Sequence, residues 1–270
     1  PAGVLEKRPE AMPPRGGLRE RVRAAGASER TAMSTWMDDA VGALTARLQA
    51  LGVDKDTAVI FTCDHLARGK YSCYEGCRVP FLIRFPGRVP AGLEVDALAA
   101  NVDLAATLCE LTGGALPDGY DTDGTSFAPL LLGADGAAGR RDHVYLECSN
   151  IRAVVTDRWK YIACRAGPET LAAIEADRRE AEAQGRKRWV GWDGRRNPHA
   201  HYRREGVRYF SAGEFPCYFD ADQLYDLDAD PWEQKNLAAD PAHAEELARM
   251  KSLLAAELRG LPWGFGEFAD

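Results

Sequence analysis

Asp64, His65 and Lys70 fall close together in a stretch that reads FTCDHLARGKYSCYEGCRVP from Phe61 to Pro80. A carboxylate beside a neutral imidazole suits a divalent cation. The Asp supplies a hard oxygen, and the imidazole favours zinc or manganese over calcium without excluding calcium. A lysine after a loop glycine, as in Gly69-Lys70, can hold an anionic substrate as a point charge. Alone, each feature has a plainer account. An isolated Asp-His fits an Asp capping a turn beside a His bonded to a carbonyl, and an isolated loop lysine fits a solvated side chain. Glu75 and Arg78, flanking the next apolar run, read as a structural ion pair.

The surrounding elements raise the standing of the pair. Ser28 to Leu51 carries Met33, Trp36, Met37, Val41, Leu44, Leu48 and Leu51 at helical spacing, and Gly52 ends it. Thr57 to Thr62 is a short apolar strand, and Val79 to Phe85 is a second, closed by Pro86-Gly87. Asn101 can cap a helix through Leu104, Leu108 and Leu111 to Gly113-Gly114, and Ser126 to Leu132 is a short helix. This order of helix, strand, loop, strand and helix is that of an α/β layered domain, where ligands gather at the carboxyl ends of strands. Asp64-His65 stands at such an exit.

The texture changes after Gly139. His143 to Cys148, Arg152 to Val155 and Trp159 to Ile162 read as antiparallel strands, the last two joined by a tight turn at Thr156-Asp157-Arg158. Glu169 to Gln184 is a charged helix, and the stretch on to Phe215 is an excursion without periodicity. Gln223 to Leu227 is a strand, and Pro241 to Arg259 is an amphipathic helix with Asp240 as cap and Gly260 as stop. The expected domains are an irregular segment over 1–27, an α/β part over 28–139, and over 140–270 a smaller subdomain with an excursion at 169–215.

Composition narrows the function classes. With 270 residues, 46% hydrophobic and 28% charged, the chain can bury a sizeable core, and its net charge of -7 argues against a nucleic-acid partner. No run approaches the ~20 apolar residues of a membrane span. The first residues lack the apolar centre of a signal peptide and an initiator Met, so the chain is expected not to begin where its gene does. Seven cysteines without a Cys-x-x-Cys pair point to buried thiols in a reducing compartment, hence the cytoplasm. A signal on a preceding segment would instead place the protein in the periplasm.

Read whole, the stretch resembles the sulfatase family of the alkaline phosphatase superfamily. Thr62-Cys63-Asp64-His65, Gly69-Lys70, Tyr74-Glu75, Arg78-Val79-Pro80 and Phe85-Pro86-Gly87 follow the family's order. VDLAATLCELTGG, RAVVTDRWKYI and QLYDLDADPWEQKNLA are similar to its later motifs. The resemblance covers Ser34 to the C-terminus apart from the excursion. It implies part of an alkaline-phosphatase-like α/β/α sandwich followed by a smaller antiparallel sheet with a packed helix. It also implies hydrolysis of a sulfate monoester, of a small molecule or a sugar, assisted by a divalent metal. That metal is calcium by resemblance, with manganese or zinc admitted by His65. Asp64 and His65 match two metal ligands of the family, and Lys70 matches the lysine that contacts the sulfate and assists catalysis.

The same resemblance raises a second question, because the family's nucleophile is a formylglycine made within Cys-x-Pro-x-Arg. No cysteine here is followed by that pattern; Cys77-Arg78-Val79-Pro80 has its proline one place late. The earlier Asp pair of the metal site is also missing, and Asp38-Asp39 reads as a solvated helix face. The N-terminal half of the enzyme is therefore expected as a separate or missing polypeptide. The alternatives are a phosphonate or phosphate ester hydrolase on the same scaffold, or a non-catalytic remnant serving as a binding module.

Overall fold

A computed structural model describes residues 9–65, 73–133, 138–148, 150–169, 217–262 and 264–268, with a few helical positions between 171 and 183. The excursion through Phe215 and most of the charged helix before it lie outside the described residues. The chain divides into two compact units. One comprises Pro1–Phe61, Phe81–Glu94 and Leu131–Ala134; the other comprises Thr62–Pro80, Val95–Leu130 and Asp135–Asp270.

In the first unit, α1 (Leu18–Ala24) lies within the segment expected to be irregular, and α2 (Ala32–Ala50) follows it. Leu18 and Val22 bury one turn of α1 against Ala32 and Trp36 of α2, contacts that a seven-residue helix cannot do without. Arg21 bonds the Asp39 carboxylate. That corrects the expectation of a solvated Asp38-Asp39 face: Asp38 is exposed, but Asp39 ties the two helices together. Met33, Met37, Leu44 and Leu51 of the expected apolar stripe are exposed. β1 (Val59–Thr62) and β2 (Phe81–Arg84) pair in a two-stranded sheet.

The second unit holds α3 (Leu104–Thr112) and an antiparallel sheet of β3 (Val144–Cys148), β4 (Ile151–Val155), β5 (Trp159–Cys164) and β6 (Asp222–Asp226), in that order. The short α4 (Ala128–Leu131) precedes the sheet. Alternation decides which side chains go where. Ile151, Ala153, Ile162, Cys164 and Tyr225 enter one core with Tyr74 and Tyr218. Val154, Tyr161, Ala163 and Leu224 enter the other, against Met250, Leu254 and Leu258 of α5 (Ala244–Leu258). Those three recur every fourth residue, so one stripe of α5 covers the sheet. The packed C-terminal helix is thus present as expected, with Asp240 accepting the Ala242 N–H in the 3-10 turn Pro241–His243 that leads into it.

The start of α3 differs from expectation. Asn101 opens a 3-10 turn and does not cap it; the buried Asp103 carboxylate turns back to accept the Ala100 N–H at 2.7 Å. Asp103 also accepts the Thr125 N–H at 2.8 Å and a paired bond from Arg141. Gly124 permits this closeness, since a Cβ there would stand 2.2 Å from the Val102 carbonyl oxygen. Burial works to raise the Asp103 pKa, but the bonds from Arg141, Thr125 and Ala100 outweigh it and hold the carboxyl below its ordinary range. A depressed folded pKa contributes stability that is present above the unfolded value of ~3.9 and is lost as pH falls through the folded one. Urea midpoints should therefore drop below about pH 4, and Asp103→Asn should flatten that part of the profile.

Candidate active site

The exit of β1 places the expected metal pair side by side. The chain leaves the sheet after Thr62, and both side chains then emerge on the same connection. Asp64 Oδ2 and His65 Nε2 stand 3.4 Å apart, the Asp64 side chain being 80% exposed and that of His65 29%. The His65 N–H donates to Asp64 Oδ1 at 3.0 Å, which fixes the carboxylate and leaves Oδ2 toward the ring. The Cys63 thiol donates to the His65 carbonyl at 3.4 Å.

This spacing fits a shared cation. At bond lengths of about 2.0–2.6 Å, two donors so placed occupy adjacent corners of one coordination sphere, near a right angle at the ion. It also serves the plainer alternative of an Asp-His contact in a turn. Two donors do not complete a site, and among the described residues no group of three or more His, Cys, Asp and Glu gathers anywhere to hold a metal. Thr62 Oγ1, two residues upstream, is buried without a partner among the described residues. Lys70 lies outside the described residues, as does the side chain of Glu75, so the expected Glu75–Arg78 pair does too.

From Cys73 onward the chain is anchored. Tyr74 is fully buried, stacks on Tyr218 with centroids 5.3 Å apart, and donates to Gln223 Oε1 at 2.7 Å. Tyr225 donates to the same oxygen at 2.9 Å. Burial raises the Tyr74 pKa well above the ordinary phenol value, so the hydroxyl stays a donor. Three residues on, the Cys77 sulfur stands 3.9 Å from Lys160 Nζ. The segment that follows Gly69-Lys70 is thus fastened to β5 and β6. Tyr74→Phe keeps the stacking and removes one of two donors to Gln223. It should cost about 1 kcal/mol in urea unfolding.

Sequence reasoning did not anticipate the ion pair between Lys160 and Glu233, at 2.6 Å with both side chains buried. Lys160 is the lysine of Trp159-Lys160-Tyr161, and Glu233 closes Asp230-Pro231-Trp232-Glu233. Asp230 Oδ2 accepts the Gln234 and Lys235 N–H groups at 2.7 Å each, which folds the turn that sends Glu233 inward. The spacing of Asp230 and Glu233 was the one available signal.

Comparisons with known proteins bear on what these elements are. A family model described as Sulfatase matches residues 17–115, and one described as N-sulphoglucosamine sulphohydrolase, C-terminal, matches residues 68–184. An ulvan-active sulfatase of Formosa agariphila is 30% identical over 196 residues, covering 69% of this chain and 34% of that protein. A Bacteroides thetaiotaomicron structure from the metabolism of multiple glycosaminoglycans superposes with a TM-score of 0.59 at 24% identity, over 85% of this chain and 44% of the other. The phosphonate monoester hydrolase of Agrobacterium radiobacter gives 0.56 at 22% identity, over 86% and 41%. These structural likenesses show the fold, an alkaline-phosphatase-like α/β part followed by the antiparallel sheet and its helix. The chain spans about a third of the length of the Formosa relative.

Proposed function

The chain belongs to the sulfatase family, and on that premise we propose that it forms the C-terminal part of a hydrolase of sulfate monoesters. The observation that carries this reading is the Asp64-His65 pair at the exit of β1, 3.4 Å apart, within the region the family model matches. Asp64 and His65 are the residues that would hold one side of a divalent cation, calcium in the first instance, with manganese or zinc as the alternatives His65 allows. When bound there, such an ion would supply positive charge opposite the sulfate oxygens. Lys70 contacts the sulfate and adds a fixed positive charge where negative charge develops as the ester bond breaks.

The nucleophile and the remaining ligands come from outside this chain, since none of its cysteines stands in Cys-x-Pro-x-Arg. The exposed stripe of Met33, Met37, Leu44 and Leu51 on α2 supports that division, because an apolar face of this kind is what a further part of the α/β domain would cover. The substrate is a sulfated sugar or small molecule, in keeping with the relative named for ulvan. Among the described residues no helix is long and apolar enough to cross a membrane.

Turnover of an aryl sulfate, an aryl phosphate and a phosphonate monoester by the complete protein tests the reading. Sulfate turnover should exceed the other two by at least about tenfold and should fall on chelation, returning with added metal. Preference for the phosphonate would move the protein to the second class on this fold, to which the Agrobacterium structure belongs.

A further inference from the structure

The connection from β1 to β2 runs from Cys63 to Pro80. That is beyond the ~12–15 residues at which a connection in a compact domain ordinarily carries function or is left loose. Its compact unit is not that of the strands it joins. Thr62–Pro80 belongs with the C-terminal sheet, while β1 up to Phe61 and all of β2 belong to the first unit. Asp64 and His65 open this connection, and Lys70 precedes Tyr74 by four positions. We propose that Tyr74 is a positioning residue for Lys70, acting from a hydrogen-bonded knot centred on Gln223 of β6. The proposal rests on the sulfatase reading, which makes Lys70 the lysine that contacts the sulfate.

The knot leaves Tyr74 one place to be. Gln223 is fully buried, and its Oε1 accepts the Tyr74 hydroxyl at 2.7 Å and the Tyr225 hydroxyl at 2.9 Å. Its Nε2 donates to the Tyr218 carbonyl at 3.3 Å and to the Asp220 carbonyl at 3.1 Å. Both acceptor and both donor positions of the amide are thereby used, which sets its orientation. The Tyr74 ring stacks on Tyr218 with an angle of 18° between the planes. Stacking alone fixes the plane of that ring and lets it slide; the bond at its hydroxyl stops the slide. A Phe facing a Leu would fill the same core, whereas a fully satisfied polar network specifies one arrangement of it. The residues that follow are held as well. The Cys77 N–H donates to the Tyr74 carbonyl at 2.9 Å and closes the 3-10 turn Glu75–Cys77, and the Cys77 sulfur stands 3.9 Å from Lys160 Nζ on β5.

Short reach makes the coupling strong. Four residues span at most ~14 Å of extended chain, so a lysine four positions upstream inherits a shift of Tyr74. Misplacing a group by about 1 Å can cost about 10²-fold in rate, and loss of a supporting partner at a metal site about 10–100-fold. Folding loses only one hydrogen bond of several in the same change. Turnover is therefore the more sensitive reporter.

Steady-state turnover of an aryl sulfate by the complete protein, at temperatures where circular dichroism shows every variant folded, tests the proposal. Tyr74→Phe should lower kcat/KM by about tenfold. Tyr225→Phe removes the other donor to the same oxygen, from a residue within β6. It should lower the melting temperature by a similar amount and keep kcat/KM within about twofold of the parent. In a Lys70→Ala background Tyr74→Phe should lower turnover no further, because the residue it positions is gone. Equal losses of turnover in Tyr74→Phe and Tyr225→Phe, or the same loss with and without Lys70, reduce the knot to a purely structural one and overturn the proposal. Parental kcat/KM in Tyr74→Phe, beside a Lys70→Ala variant that has lost it, removes the positioning role alone. A parent that turns over no sulfate ester, or a Lys70→Ala variant with parental turnover, sinks the reading of Lys70 and the positioning role with it.

Discussion

Asp64→Ala in the complete protein is expected to lower affinity for its divalent metal by at least ~10²-fold, and sulfate-ester turnover with it. Loss of even an outer-shell partner costs about 10–100-fold in metal affinity or activity, and the proposed site makes Asp64 a direct ligand. Its Oδ2 is the charged donor of the pair; His65 Nε2, 3.4 Å away, is neutral when it binds a cation. Removing the carboxylate therefore takes away both a ligand and the local charge that attracts the ion. His65→Ala should cost less with calcium than with zinc or manganese, because imidazole contributes more to the borderline ions. Metal content by mass spectrometry, read beside turnover across a metal titration, separates the two variants. An Asp64→Ala protein with parental metal affinity would show that the pair is only a turn contact, and the proposed site would fall with it.

The sequence made the placement of that pair readable, because an apolar strand followed by polar residues implies an exit and an exit implies an accessible cleft. The C-terminal sheet was equally readable: β4 and β5 are short runs rich in β-branched and aromatic residues, and Thr156-Asp157-Arg158 joins them as a tight turn. Partners distant in sequence were not readable. Asp103 looks like an ordinary helix-start residue until Arg141, 38 positions later, meets its carboxylate. Asp39 sits in a helical pattern as if solvated, and only the packing of α1 brings Arg21 to it. The apolar stripe of α2 correctly predicts a helix but says nothing about what covers it. Tyr74 and Asp230-Pro231-Trp232-Glu233 were legible within motifs and opaque as physics, because Tyr74 bonds Gln223 of β6 and Glu233 bonds Lys160 of β5, each far away in the chain. Asn236 is a further instance. Its Oδ1 accepts the Leu224 and Ala238 N–H groups, and its Nδ2 donates to the Asp222 carbonyl at 3.0 Å, so one side chain splices the post-strand loop onto β6.

Lys160→Met should destabilise the folded chain by about 3–5 kcal/mol, the usual cost of breaking a buried pair by removing one partner. Lys160 is 1% exposed, and its ammonium bonds Glu233 Oε1 at 2.6 Å. Burial works to lower the Lys160 pKa, but the neighbouring Cys77 and Glu233 outweigh it and leave the pKa raised, so the ammonium stays charged. Methionine matches the stem in volume and carries no charge, so the loss reads the pair and not a cavity. Glu233 also holds a left-handed backbone at φ 57°, a conformation that a non-glycine residue keeps only where its surroundings enforce it. The bond to Lys160 is part of that enforcement, and without it the Asp230–Glu233 turn loses its inward anchor. Lys160→Met/Glu233→Gln should recover a large part of the loss, because no formal charge then remains in the site. Urea unfolding of the parent, the single variant and the double variant reads the coupling directly. If the double variant were no more stable than Lys160→Met, the carboxylate would not be the source of the cost, and the pair would be packing with charges attached.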